Sequence, residues 1–175
     1  MKTFLYLITV LMITACALPE FSFKAGGKSG KEIPGKTIQI DYFDSKAPLA
    51  NANAGNFLTE SLKNLMQSQT KLNLVTQNGD WQIDGAITDY RVEPISIQAN
   101  SESAAQNRFT MTVTANCKYV KSNKEDSIVF QNERFSFYSD FDSNEDFTSK
   151  EEVLQKDVVG QITQAIYDKA FGGEW

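Results

Sequence analysis

Residues 109–119 read Phe-Thr-Met-Thr-Val-Thr-Ala-Asn-Cys-Lys-Tyr, and this stretch decides the fold of the chain. Every odd position carries an apolar or aromatic side chain, and every even position carries a polar one. Strict alternation is typical of a β-strand with one face in a core and the other in water. The stretch therefore predicts a long half-buried strand, with Thr110, Thr112 and Thr114 in a ladder on the wet face.

The neighbouring segments extend this strand into a sheet. Residues 92–97 and 128–138 are also strand-like, and polar connections separate them from residues 109–120. Short polar connections favour an antiparallel meander. Three further strands are predicted upstream, one of which begins with Leu72, Leu74 and Val75 before the turn at residues 78–80. In residues 37–43, Ile38, Ile40 and Tyr42 share the buried face. After the turn at residues 78–80, the alternating side chains are Trp81, Ile83 and Ile87.

Two segments have the apolar period of an amphipathic helix. The first covers residues 55–69, and its apolar stripe is Phe57, Leu58, Leu62, Leu65 and Met66. The second begins after Thr148 or Ser149, either of which can cap it. Its stripe is Val153, Leu154, Val158, Ile162, Ala165 and Ile166. The predicted fold is α+β: a two-layer sandwich of a mostly antiparallel sheet of four to five strands, with two helices on one face.

The N-terminus has the pattern of a bacterial lipoprotein signal. Lys2 precedes a short apolar run, and small residues lead to Cys16 in the lipobox Ile-Thr-Ala-Cys of residues 13–16. We therefore expect residues 1–15 to be a signal peptide and Cys16 to be the lipidated first residue. The alternatives are an ordinary signal peptide or a short membrane anchor, but the apolar run is shorter than the roughly 20 residues that span a bilayer.

The residues after the lipobox predict where the protein resides. Residues 16–36 are rich in glycine and lysine and read as a flexible tether, which leaves residues 37–175 as one domain. Ala17 takes the position where aspartate often retains lipoproteins in the inner membrane, and Glu20 is the single acidic residue that follows closely. We expect a lipid-anchored protein of the outer membrane, on its periplasmic face.

Composition excludes several classes of function. The chain has 17 basic and 22 acidic residues, and this balance argues against general nucleic-acid binding. It has no histidine, the commonest general base and metal ligand, so neither a Ser-His-Asp triad nor a metal site is expected. With Cys16 lipidated, Cys117 has no cysteine partner, and its place in the alternating strand predicts a buried, unreactive thiol.

Carboxylate chemistry of the kind that glycosidases use is the remaining catalytic alternative. Asp84, Asp89 and Glu93 are close in sequence, but a regular strand would place them on different faces. We expect solvated surface and turn residues here, no cofactor and no enzymatic activity.

The strands and first helix together resemble the LptE family of lipopolysaccharide-assembly lipoproteins, in the branch found in Bacteroidetes-type bacteria. The resemblance rests on the lipobox and on fold-level patterns along nearly all of the mature chain. These patterns are residues 37–43, 47–51, 57–63, 72–75, 84–90 and 107–113. None of them is a chemical signature.

The resemblance implies a partner and a ligand. Members of the family sit inside the lumen of a large outer-membrane β-barrel, LptD, help to assemble it, and insert lipopolysaccharide into the outer leaflet with it. Lipid A carries phosphates, so basic residues on the strands are candidate contacts: Arg91, Arg108, Lys118 and Arg134. The alternatives are that these are ordinary surface charges, and that the chain is a lipid- or glycan-binding auxiliary lipoprotein of another envelope export system.

Overall fold

The computed structural model describes residues 33–95, 105–120 and 127–172. The predicted signal peptide, Cys16 and the predicted tether up to residue 32 lie outside the described residues. The domain begins at Ile33, which packs against the core. Trp81 Nε1 donates a hydrogen bond to the Pro34 carbonyl at 2.7 Å. The Asp80 carboxylate accepts the backbone N–H groups of Lys36 and Thr37, and the first of these bonds does most to hold the pKa of Asp80 below its usual value.

Within the described residues, the domain has six strands and two helices. In chain order they are β1 (Thr37–Ile40), β2 (Asp44–Ser45), α1 (Ala54–Gln69), β3 (Asn73–Val75), β4 (Trp81–Ile95), β5 (Gln106–Tyr119), β6 (Ser127–Asp142) and α2 (Phe147–Phe171). The sheet order is β3-β1-β4-β5-β6, and the short β2 pairs with β4. Both helices pack on one side of the core, and α2 contacts α1, β5 and β6.

The predicted α+β class, with a mostly antiparallel sheet and two helices on one face, is confirmed, and the sheet is mixed rather than purely antiparallel. β1 pairs in parallel with both β3 and β4, and β2 also pairs in parallel with β4. The pairs β4–β5 and β5–β6 are antiparallel. The chain returns through α1 between β1 and β3, and such a crossover brings the next strand back in the same direction.

Strand β4 is longer than the sequence pattern indicated, because it continues through a bulge at Thr88. Ile87 pairs with Val113 and Asp89 pairs with Thr112, so Thr88 is an extra residue in β4. The side chains that face the helices consequently change from odd positions up to Ile87 to even positions from Tyr90. The predicted separate strand over residues 92–97 was wrong, because its described part is the end of β4.

The end of the first predicted strand was also assigned to the wrong face. Tyr42 is 56% exposed, whereas Phe43 is fully buried. β1 stops at Ile40, and the Phe43 N–H then donates to the Thr59 hydroxyl of α1 at 3.0 Å. The Phe43 ring lies over Gly85, where a Cβ atom would stand 2.6 Å from the ring. Glycine at position 85 therefore makes room for this core residue.

The two helices bury most of their predicted stripes. Leu58, Leu62 and Met66 of α1 are fully buried, and so are Ile162 and Ile166 of α2. Val153 is an exception, since it is 67% exposed at the start of α2 and faces away from the sheet. Neither helix in the described ranges is long and apolar enough to cross a membrane.

The helix α2 starts earlier than the sequence pattern predicted. Asp146 is the N-cap, and its carboxylate accepts the Ser149 N–H at 3.1 Å. The predicted caps, Thr148 and Ser149, therefore lie inside the first turn. Aspartate is as good an N-cap as serine, so the sequence alone did not choose between them.

Candidate functional site

The face of the sheet opposite the helices is here called the open face. It carries all four of the predicted basic residues. Register places Arg91 beside Thr110, and Arg134 beside Thr114. Arg108 and Lys118 alternate with the core residues of β5. All four side chains therefore share the open face, although Arg108 and Lys118 are separated by about 33 Å along the strand.

At one end of the open face, acidic neighbours hold both arginines. Arg91 forms ion pairs with Asp89 and Glu93 of the same strand. Arg108 is held by Asp140 of β6, at 2.7 Å from Nε and 2.8 Å from Nη2. This end therefore has the character predicted for ordinary surface charges, with each cation neutralised by a carboxylate.

Arg108 has a second contact that fixes its orientation. Its guanidinium lies over the Tyr138 ring, 3.6 Å from the ring centroid. The hydrogen bonds that Arg108 donates to Asp140 raise the pKa of Arg108 above its ordinary value. A planar guanidinium that is clamped by a carboxylate and stacked on an aromatic ring is preorganised, and it presents little unpaired charge to a ligand.

The bulge at Thr88 also changes the arrangement of the acidic residues. It places Asp84, Asp89 and Glu93 on the open face together, whereas a regular strand would have separated them. Asp89 and Glu93 share Arg91, and Asp84 accepts a hydrogen bond from Asn116 Nδ2 at 2.7 Å. Each carboxylate thus has a structural partner, which is the arrangement expected of surface residues. In the described part of the chain, no cluster of three acidic or cysteine side chains forms a metal site.

The middle of the open face is drier than predicted. Thr112 is fully buried and Thr110 nearly so, while Thr114 is half-buried. These short side chains lie on β5, between the longer side chains of two flanking strands. Thr112 Oγ1 is 2.9 Å from the Ser136 hydroxyl of β6. The prediction of a wholly wet threonine ladder was therefore wrong for Thr110 and Thr112.

The other end of the open face carries a shallow polar groove, bounded by β2, β4, β5 and the bulge of β6. Asn116 organises it: its amide donates to Asp84, and its carbonyl oxygen accepts the Asn132 N–H at 2.8 Å. Asn132 has a φ of 51°, a conformation that asparagine tolerates better than most residues. Arg134, which follows this bulge, is exposed and has no ion pair among the residues that the structure describes.

Sequence reasoning missed a second polar cluster, at the junction of β4, α2 and the loop before α1. The Tyr90 hydroxyl donates to Glu151 at 2.5 Å, and Asn51 Nδ2 donates to the same carboxylate at 2.8 Å. Burial raises the pKa of the Tyr90 hydroxyl, and the bond to Glu151 adds to this effect. The three residues are up to a hundred positions apart in sequence, so no local pattern identifies them.

A solved structure from another bacterium supports the fold. The domain is similar to a hypothetical protein from Chlamydia trachomatis, with a TM-score of 0.55, 9% identity, and coverage of 79% of this chain and 99% of that one. It is also similar to a minor lipoprotein from Acinetobacter baumannii, with a TM-score of 0.49, 12% identity, and coverage of 78% and 90%. Rare lipoprotein B from Shewanella oneidensis gives a TM-score of 0.42, 12% identity, and coverage of 77% and 90%.

Comparison of the sequence with known proteins and families identifies a family, whereas the solved structures show only the fold. No curated protein matches the chain. One family model does, described as LptE, lipopolysaccharide-assembly, and it covers residues 35–170. This range runs from the start of the described domain almost to the end of α2. The chain therefore belongs to the LptE family of lipopolysaccharide-assembly proteins.

Proposed function

We propose that this chain is an outer-membrane lipoprotein that acts as plug and scaffold of a lipopolysaccharide translocon. Lipidated Cys16 anchors it on the periplasmic face, and an LptD-like β-barrel is its partner. It assists assembly of that barrel and insertion of lipopolysaccharide into the outer leaflet, and it catalyses no reaction. The family match over residues 35–170 is the observation that carries this proposal.

The open face is the surface that we assign to the barrel lumen. The lumen of a large outer-membrane barrel is polar, so a surface that enters it needs hydrogen-bonding groups and few apolar side chains. The groove end supplies such groups, with Thr114, Asn116 and Asp84 on adjoining strands. The helices cover the opposite side of the sheet, so among the described residues no helix covers the polar face of the long strands β4, β5 and β6.

Direct contact with lipid A is a second part of the proposal. Arg91 and Arg108 are neutralised by their carboxylate partners, so phosphate binding is best served at the other end, by Arg134. A phosphate that meets an unpaired guanidinium makes strong charge-assisted hydrogen bonds without first displacing an acidic side chain.

Site-specific photo-crosslinking in cells tests which face enters the barrel. A photoreactive residue at position 114, at the groove end of the open face, is expected to capture the barrel. The same residue at position 153, on the solvent-exposed side of α2, is the matched control and is expected to capture at least about tenfold less. Equal capture from both positions, or capture from position 153 alone, would contradict the assignment of the open face.

The same experiment distinguishes the translocon from the alternative function. An auxiliary lipoprotein of another envelope export system would be crosslinked to components of that system instead. Recovery of such a component from position 114, with no barrel, would replace the translocon by the alternative.

A further inference from the structure

Strand β6 forms one border of the sheet. In the ranges that the structure describes, β6 pairs with β5 and with no other strand. It is 16 residues long, well above the usual strand length of about six. An edge strand directs alternate backbone N–H and C=O groups outward, and these are ready to pair with another strand.

This edge lacks most of the features that usually protect an edge strand. Residues 127–142 contain neither lysine nor proline. Two large apolar or aromatic side chains of β6 are exposed, Ile128 by 63% and Tyr138 by 51%. The bulge at Asn132 interrupts only the first half of the strand, since residues 133–142 pair in unbroken register with β5. The second half is therefore a regular edge that is open to pairing.

The charges of this half are arranged to complement themselves. Arg134 and Asp140 stand three positions before and three positions after Phe137, and both lie on the open face. If two β6 strands pair antiparallel about Phe137, each Arg134 comes opposite the Asp140 of the other copy. Ser136 then comes opposite Tyr138, and the two Phe137 side chains meet on the helix side.

We propose that two copies of the chain associate through β6, in a two-fold dimer that joins their sheets into one. Such an interface uses the same patch on both copies, as two-fold dimers require. The backbone pairing provides the contact, and the opposite charges fix its register.

The Asp140 carboxylate has room for the second arginine. It already accepts two hydrogen bonds from Arg108, but an ionised carboxylate offers about four acceptor positions. Arg134 has no ion pair among the described residues, so no existing contact has to break. Each half of the interface would contain one aspartate between two arginines.

A second copy fits this edge better than an unrelated strand does. A different partner would need an acidic residue and a basic residue, six positions apart, in the matching antiparallel register. A second copy supplies both by symmetry. The inference does not depend on the proposed barrel partner. An Arg134 that is paired in this way is not available to a phosphate, so dimerisation and phosphate binding at Arg134 exclude each other.

Cysteine crosslinking of the full lipidated protein in its native membrane tests the dimer. Two copies with different tags are coexpressed, one with Ser136→Cys and the other with Tyr138→Cys, and mild oxidant is added. Positions 136 and 138 of opposite strands would be cross-strand neighbours, within reach of a disulfide. In the matched control, Ser136→Cys in one copy is combined with Ser127→Cys in the other. Position 127 lies about 36 Å from position 138 along β6.

We expect the 136–138 pair to give at least about tenfold more heterodimer than the 136–127 pair. Arg134→Glu should suppress this product, because two like charges then oppose each other, while Lys118→Glu on the interior strand β5 should leave it intact. Equal crosslinking of both cysteine pairs, or no heterodimer, would overturn the proposal. Disulfides to a larger protein, with no heterodimer, would show that another partner occupies the edge.

Discussion

At the scale of single residues, the basic side chains of the open face differ in how their charge is compensated. Arg91 and Arg108 each have acidic partners, whereas Arg134 has none in the described part of the chain. Identical charges on one surface are therefore not equivalent for an anionic ligand. The sequence placed all four residues in strands, but it could not reveal which cations had carboxylate partners across the sheet.

This difference predicts unequal effects of charge reversal on lipopolysaccharide binding. Arg134→Glu should weaken binding about five- to tenfold, the loss expected for one charge-assisted contact of about 1 kcal/mol. Arg91→Glu should change it less than about twofold, because Arg91 is already neutralised. Binding of the purified lipidated protein to lipopolysaccharide in detergent gives both numbers. An equal loss in the two variants would contradict the assignment of the phosphate contact to the groove end.

The buried thiol gives a second prediction at the residue scale. Cys117 is 1% exposed, as the alternating pattern predicted, and burial raises its pKa to about 12. The thiolate is the reactive form, so almost none is present at pH 8 in the folded state. Iodoacetamide should leave Cys117 unmodified in native buffer and modify it in urea, as mass spectrometry would detect. Rapid modification in native buffer would show that β5 is not held in the core.

At the scale of elements, the bulge in β4 explains both a success and a failure of sequence reasoning. Alternation correctly identified residues 81–87 and 109–119 as strands, because each keeps one phase throughout. It failed at Thr88, where the phase changes and one strand looks like two. A single inserted residue has no composition signal, so its detection requires knowledge of the partner strand.

Deletion of Thr88 tests this account of β4. Asp89 would then follow Ile87 directly, with Ile87 inward, Asp89 outward and Tyr90 inward, which is the register that the strand already has. We expect the protein to remain folded, with a loss of less than about 2 kcal/mol in urea denaturation. Deletion of Thr112 in the facing strand is the control, and it should prevent folding because it turns half of β5 over. The account fails if both deletions unfold the domain.

The ends of elements were less predictable than their interiors. Phe43 is buried instead of Tyr42, because β1 ends two residues earlier than its apolar pattern. The space over Gly85 then accepts the Phe43 ring. Val153 fits the helical period of α2 but is exposed. In both cases the outcome depends on the shape of the packed neighbours, which no local pattern contains.

At the scale of the whole domain, the two sides of the sheet differ in chemistry. The helix side holds the large buried side chains, including Trp81, Phe109 and Met111. The open side combines paired charges, a buried threonine pair and a polar groove. Folding fixes the first side, and the second side is available for partners. This division was predictable from the sequence, because apolar and polar residues alternate along the strands. The contacts that organise the open face were not predictable, because they join residues of different strands.

We propose that this LptE-family chain works as part of a lipopolysaccharide translocon with a barrel partner. The most direct measurement is a detergent pull-down of the full-length lipidated protein from its native membranes, with quantitative identification of what copurifies. The account predicts a large LptD-like barrel in near-equal amount. Recovery of the protein without a barrel, or with an inner-membrane transporter in its place, would contradict it.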